Sequence, residues 1–206
     1  RHAAGVRAGH LPGAGGAAFM KAAPRLWLLR HGPVECAQGL CYGASDVQAS
    51  QQHSREIALR AAAELPLDVE LHSSPLSRCA QLAQALEALR PDLQAQFDTR
   101  ITEMDFGGWE GMAWNDIPRA EFDGWLADFA AARPGGNGES TNTFMARVGD
   151  AYDSWRASGR DAAWVTHAGV MRAVLLLHQG VRKVERADRW PTRAIALGVL
   201  MLVEAP

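Results

Sequence analysis

Three short segments, far apart in the chain, hold residue types suited to phosphate chemistry. Arg30-His31-Gly32 follows one apolar run, Ser73-Ser74-Pro75-Leu76-Ser77-Arg78 follows a second, and Thr166-His167-Ala168-Gly169 a third. Two guanidiniums at one cleft call for an oxyanion with several oxygens, and phosphate matches paired forks better than a lone carboxylate does. A neutral imidazole beside that anion is a nucleophile. It can attack phosphorus in line and divide hydrolysis into formation and breakdown of a phosphohistidine. Arg30, Arg78 and the second histidine, His167, would then stabilise charge on the equatorial oxygens, with no metal or cofactor required. Glu103, at the entrance to a Trp-rich segment, is a candidate general acid for the leaving oxygen. The helix expected near Gly169 adds free backbone N–H groups at the same edge.

Rival chemistries leave no trace. A Cys-x5-Arg phosphatase loop needs arginine six residues after cysteine, where Tyr42, Val47 and Ala85 stand instead. The lysines are Lys21 and Lys183, so a Gly-x4-Gly-Lys phosphate loop is excluded. Neither Gly-x-Ser-x-Gly nor His-Glu-x-x-His occurs. A metal held by His31, His167 and Glu103 lacks the short ligand spacing such sites show. His53, His72 and His178 read as structural, His72 being the nearest of them to a strand end. Trp109, Trp114 and Trp125 read as lobe core in preference to a stacking platform.

The elements that must position these residues follow from apolar spacing. Arg25–Arg30 reads as a buried strand stopped at Gly32-Pro33, Ser50–Leu65 as a helix ended by Pro66, and Asp68–Ser73 as a second strand. Ser74-Pro75 then supplies a helix cap and first position, and Leu76, Cys79, Leu82, Ala83, Leu86 and Leu89 form its apolar stripe. Ala95–Asp98 is a third strand. Residues 103–139 change character, rich in Gly and Trp, and read as an inserted lobe with one or two helices. Thr141–Trp155 is a helix, Ala162–Thr166 a strand, Gly169–His178 a helix, and Ala194–Val203 one long strand or two. Strands alternating with helices imply a three-layer α/β/α sandwich with a mostly parallel central sheet. Ligands bind beyond the carboxyl ends of such strands, where all three segments fall.

The 206 residues suit a single domain, and a chain of this size buries about 70% of its unfolded surface without staples. The formal charge of −2 gives no field to hold nucleic acid or an anionic membrane, and no run of about 18 apolar residues occurs. Three cysteines, an odd number, fit a reducing, cytoplasmic setting. Residues 1–19 lack periodicity and a continuous apolar core for a secretory signal. They are expected to be a non-native or disordered extension, with Met20 the natural start and residues 20–206 the domain. The expected partner is a small phosphorylated metabolite; a homodimer stays open.

Together, LLRHG at Leu28–Gly32, SSPLSR at Ser73–Arg78 and THAG at Thr166–Gly169 resemble the signatures of the histidine phosphatases, the phosphoglycerate mutase-like superfamily. The resemblance covers roughly residues 26–203. Within it, TEMDFGGWEG at Thr102–Gly111, GGNGES at Gly135–Ser140 and VTHAGVMR at Val165–Arg172 look most like α-ribazole phosphatases of cobalamin synthesis. The resemblance implies a metal-independent phosphomonoesterase of the histidine acid phosphatase type, with His31 phosphorylated, Glu103 donating the proton and His167 contacting phosphate. It makes Arg30 and Arg78 phosphate clamps and gives the Ala168 and Gly169 amides a share of the anion. The chain departs from the family after Arg-His-Gly, where Pro33-Val34-Glu35-Cys36-Ala37 replaces the usual Glu-Thr-x-x-Asn and Gln38 is the nearest substitute for the asparagine. The alternatives are a phosphoglycerate mutase-type phosphoryl transferase and a phospho-ligand-binding module without turnover. The short lobe, and the missing tryptophan in Tyr42–Asp46, favour a phosphatase over a mutase.

Overall fold

A computed structural model describes residues 23–205; the proposed N-terminal extension and Met20 lie outside that range. Five strands, β1 (Arg25–Arg30), β2 (Glu70–Ser73), β3 (Gln96–Phe97), β4 (Ala162–Thr166) and β5 (Leu200–Glu204), form one sheet in the order β3-β2-β4-β1-β5. All neighbours run parallel except β5, which lies antiparallel on the edge beside β1. This is the expected α/β architecture.

The continuous apolar runs of β1 and β4 are explained by burial on both faces. Leu26 and Leu28 of β1, with Ala162 and Trp164 of β4, face one core, while Trp27, Leu29, Ala163 and Val165 face the other. Helices α1 (Gln51–Glu64) and α2 (Ser77–Leu89) cover the second face through Ile57, Ala58, Ala61, Leu82, Ala83 and Leu86. After the lobe helix α3 (Arg119–Ala127), helices α4 (Thr141–Ser158) and α5 (Ala168–His178) cover the first face. A buried leucine such as Leu28 contributes about 2–5 kcal/mol against alanine in such a core. Among the described residues no helix is long and apolar enough to cross a membrane.

Three expectations about the elements need correction. The second strand begins at Glu70, because Asp68 sits in a left-handed turn at φ 62°. The stretch Ala194–Val203 contributes only β5; its first half crosses the end of β1, with Gly198 N donating to His31 O at 3.2 Å and Arg30 N to Val199 O at 3.0 Å. Helix α2 starts at Ser77, not at Ser74-Pro75. Its cap comes from Asp46, thirty-one positions earlier, whose carboxylate accepts from Ser77 N at 2.6 Å and Ser77 Oγ at 2.8 Å.

Candidate active site

Register explains why distant histidines meet. Arg30 pairs with Thr166 and Ser73 with Val165, so β2, β4 and β1 end side by side. The next residues, Ser74, His167 and His31, therefore occupy adjacent strand ends, and neighbouring strands are about 4.8 Å apart. The His31 and His167 rings lie 5.3 Å apart, tilted by 60°. After β4 the chain turns into α5 on one face, whereas β1 leads to α1 on the other. The crevice thus opens where the crossovers diverge, the usual ligand position in such sheets.

Hydrogen bonds fix both tautomers. A carbonyl only accepts, so His31 Nδ1, 2.8 Å from Gly32 O, carries the proton and Nε2 keeps its lone pair. A guanidinium only donates, so His167 Nδ1 accepts from Arg78 Nε at 3.3 Å, and Nε2–H points to Ser74 Oγ at 2.8 Å. Both rings are held neutral. Burial, with the Arg78 and Arg30 charges adding to it, pushes His31 down to about 3. Burial, then Arg78 and His31, hold His167 well below the ordinary histidine range.

Arg78 has no exposed area. Beyond the bond to His167 it donates to Ser45 O at 2.8 Å and Gly43 O at 2.5 Å. Three of its five N–H groups are thereby engaged and two stay free for an anion. Arg30 donates through Nη1 to Ile195 O, and burial, with repulsion from Arg172 and Arg78, lowers its pKa from the ordinary arginine value. None of Arg30, Arg78 or Arg172 forms an ion pair among the described residues, and Glu103 is the one carboxylate on the cleft they share. Such a cleft selects an anion of more than one charge.

Glu103 is held from both sides. Its Oε2 accepts from Gly169 N at 3.0 Å and its Oε1 from Met104 N at 3.1 Å. Behind it, Arg147 of α4 donates to the Arg100, Thr102 and Glu103 carbonyls at 2.9, 2.8 and 3.0 Å, while both Glu139 oxygens receive it at 2.7 Å. The two ends of the lobe are stitched together here. Gly135 adopts φ 60°, and a Cβ there would lie 2.3 Å from Gly108 N, so the backbones touch where side chains cannot fit.

The structure brings Arg30, His31, Arg78, Glu103, His167 and Gly169 together, and alters three details. Gly169 N–H is engaged by Glu103 rather than open to an anion. His167 is fully buried behind His31 and Arg78, off the cleft surface. Gln38 is exposed and stands off the cleft, so it does not replace the missing asparagine. Ala168 begins α5 with its side chain buried. The bystander histidines are structural: His53 meets Ser50 Oγ at 2.9 Å, His178 meets the Tyr152 hydroxyl at 3.3 Å, and His72 faces Glu70 at 3.9 Å. Cys41 and Cys79 supply no thiolate there, since burial pushes Cys41 up to about 12 and raises Cys79 further.

Sequence reasoning missed Arg172, Ser74 and the outer wall of the cleft. Trp109 is lobe core, as expected, but Trp114 and Trp125 line the cleft with Phe106, Phe129, Phe144 and Trp190. Arg172 falls one turn beyond Gly169 on α5, a spacing that could have found it.

Comparison with known proteins agrees with this geometry. Residues 26–201 match the histidine phosphatase superfamily (branch 1). The chain is 27% identical over 176 residues to phosphoglycerate mutase-like protein 4 of Arabidopsis thaliana, covering 77% of this chain and 73% of that one. Its fold resembles TTHB049 from Thermus thermophilus (TM-score 0.66, 26% identity, 88% of this chain and 94% of that one). It also resembles the mycobacterial glucosyl-3-phosphoglycerate phosphatase (TM-score 0.63, 29% identity, 75% and 79%). The chain belongs to the histidine phosphatase superfamily, whose members are phosphatases or mutases.

Proposed function

We propose that this chain is a phosphomonoester hydrolase working through a phosphohistidine at His31. The observation that carries the reading is the unprotonated Nε2 of a neutral His31, its other nitrogen tied to Gly32 O, beside the unpaired Arg30 and Arg78. Nε2 attacks phosphorus, the ester P–O bond breaks, and Glu103 gives its proton to the departing oxygen. Water then attacks the phosphohistidine and returns a proton to Glu103, inorganic phosphate leaves, and His31 is neutral again. The guanidiniums stabilise the equatorial oxygens throughout, so a metal ion is not needed. His167 positions Arg78 through their shared hydrogen bond.

The substrate is a small phosphorylated metabolite, and α-ribazole 5′-phosphate of cobalamin synthesis is the leading choice, supported by the lobe motifs and the aromatic outer wall. The three free cysteines suit a reducing cytoplasm. The test is phosphate release from a panel of nucleotides, sugar phosphates and α-ribazole 5′-phosphate, with His31→Ala as control. Efficient isomerisation of 3-phosphoglycerate in the presence of bisphosphoglycerate, without phosphate release, overturns the hydrolase reading. So does a wild-type protein no faster than His31→Ala.

A further inference from the structure

A phosphoryl group presents three non-bridging oxygens, with more lone pairs than the two N–H groups left on Arg78 and those left on Arg30 can fill. Gly169 N–H is held by Glu103, and His167 is fully buried. No residue from 33 to 38 lines the cleft, so the first polar side chain to reach it after His31 is Tyr42. Tyr42 stands against both arginines. The Arg78 guanidinium carbon lies 5.4 Å from the centre of its ring, in cation–π contact. Burial lowers the Arg30 pKa, and of the groups opposing that fall Tyr42 acts more strongly than Glu103, which places the phenol oxygen close to Arg30. The hydroxyl meets no protein partner among the described residues, and it is open to solvent on a residue that lines the cleft. The backbone on either side is fixed. Cys41 N donates to Met112 O and Gly111 N to Cys41 O, both at 2.8 Å. Gly43 O receives Arg78, and a Cβ on Gly43 would collide with Met104 O. The phenol is thus in place before any ligand arrives.

We propose that Tyr42 is a further catalytic residue, its hydroxyl donating a hydrogen bond to a non-bridging oxygen of the phosphoryl group held between Arg30 and Arg78. The inference rests on the phosphatase reading of the inner cleft. As His31 Nε2 attacks and the ester bond breaks, charge spreads over the three equatorial oxygens. A neutral donor fixed beforehand stabilises that charge without adding to the repulsion among the arginines. The hydroxyl keeps its proton throughout, so Glu103 remains the acid for the departing oxygen. The same contact serves again when water attacks the phosphohistidine, because the three oxygens are common to both steps. A tyrosine that only walled the cleft would need no hydroxyl, since phenylalanine covers Arg78 equally well.

The test is Tyr42→Phe, which leaves the ring against Arg78 and removes one oxygen. Its thermal unfolding should match the wild type, while kcat falls about 10- to 100-fold and KM moves less. The loss should be equal on p-nitrophenyl phosphate and benzyl phosphate, because the phosphoryl oxygens are the same in both esters. Vanadate, which mimics the transferring group on His31, should bind the variant more weakly by about the factor that kcat/KM loses. A variant as fast as the wild type, a loss confined to one ester, or an unchanged vanadate affinity overturns the proposal. If the wild type cleaves neither ester faster than His31→Ala does, the hydrolase reading fails by itself. Calorimetric binding of inorganic phosphate then decides Tyr42: weaker binding to Tyr42→Phe upholds the contact, and equal binding, or none to the wild type, overturns it.

Discussion

Replacing Gly169 by alanine would displace Glu103, the proposed proton donor, without mutating it. A Cβ built on Gly169 lies 2.1 Å from Glu103 Oε1 and 3.0 Å from its Cδ. Ordinary contact begins at 3.4 Å, so the carboxyl must retreat by roughly 1.3 Å, and misplacement on that scale costs about 100-fold when proton transfer limits the rate. Alanine is otherwise favoured over glycine in a helix by up to about 1 kcal/mol, which offsets part of an overpacking cost of about 1–3 kcal/mol, so the fold should survive. The assay is kcat/KM on two esters. Benzyl phosphate, with a poor leaving group, should slow by about 100-fold, and p-nitrophenyl phosphate, whose phenolate departs unaided, by only a few-fold. In a Glu103→Gln background the same alanine should add little, because the group it displaces no longer donates a proton. Equal losses on both esters, or full additivity with Glu103→Gln, would refute the reasoning.

Further outcomes follow from the same contacts. With His31 pushed down to about 3, the acid limb of kcat/KM should fall below pH 4 once the substrate's own ionisation near 6 is allowed for; a limb near 6.5 belonging to His31 would contradict it. The unfolded chain takes up that proton from pH 6.5 downward while the folded one refuses it, so stability should decline between pH 6.5 and 3, by on the order of 5 kcal/mol from His31 alone, as denaturant titrations can measure. Arg147→Met removes the brace on three carbonyls and leaves Glu139 without its partner, which should lower unfolding free energy by about 2–3 kcal/mol in urea. Arg78→Lys cannot reach Gly43 O, Ser45 O and His167 together, and turnover should drop by about 100-fold or more, with vanadate affinity falling in parallel. Dialysis against a chelator should leave phosphate release unchanged.

The two histidines of the inner cleft were legible in the sequence because each follows a strand at once, as in Arg30-His31 and Thr166-His167. Parallel register then does the assembly. The outer cleft was not, because Trp114, Trp125, Thr141, Arg172 and Trp190 come from separate segments whose spacing carries no period. The cap on α2 was misplaced for a related reason: Ser74-Pro75 has the local form of a helix start, yet Ser74 is committed to His167 and Asp46 reaches in from a loop. Gly169 was seen as an anion-binding amide, and only the fold reveals that Glu103 rests on it. Ala194–Val199 has strand composition but is bent across β1 by Gly198, which adopts φ 69°.

Glu110 ties the roof of the cleft to its floor. One of its oxygens accepts from Ala44 N at 2.7 Å and Phe106 N at 3.0 Å, and the other from Ser45 N at 2.5 Å, in the loop whose carbonyls receive Arg78. Cys41 N donates to Met112 O in a further backbone bond of 2.8 Å alongside. Lifting the Trp-rich segment like a hinged cover would drag the acceptors away from that guanidinium and dismantle the cradle in the same motion. Ligands would therefore enter through the open mouth of the cleft while the Trp-rich segment stays in place over it.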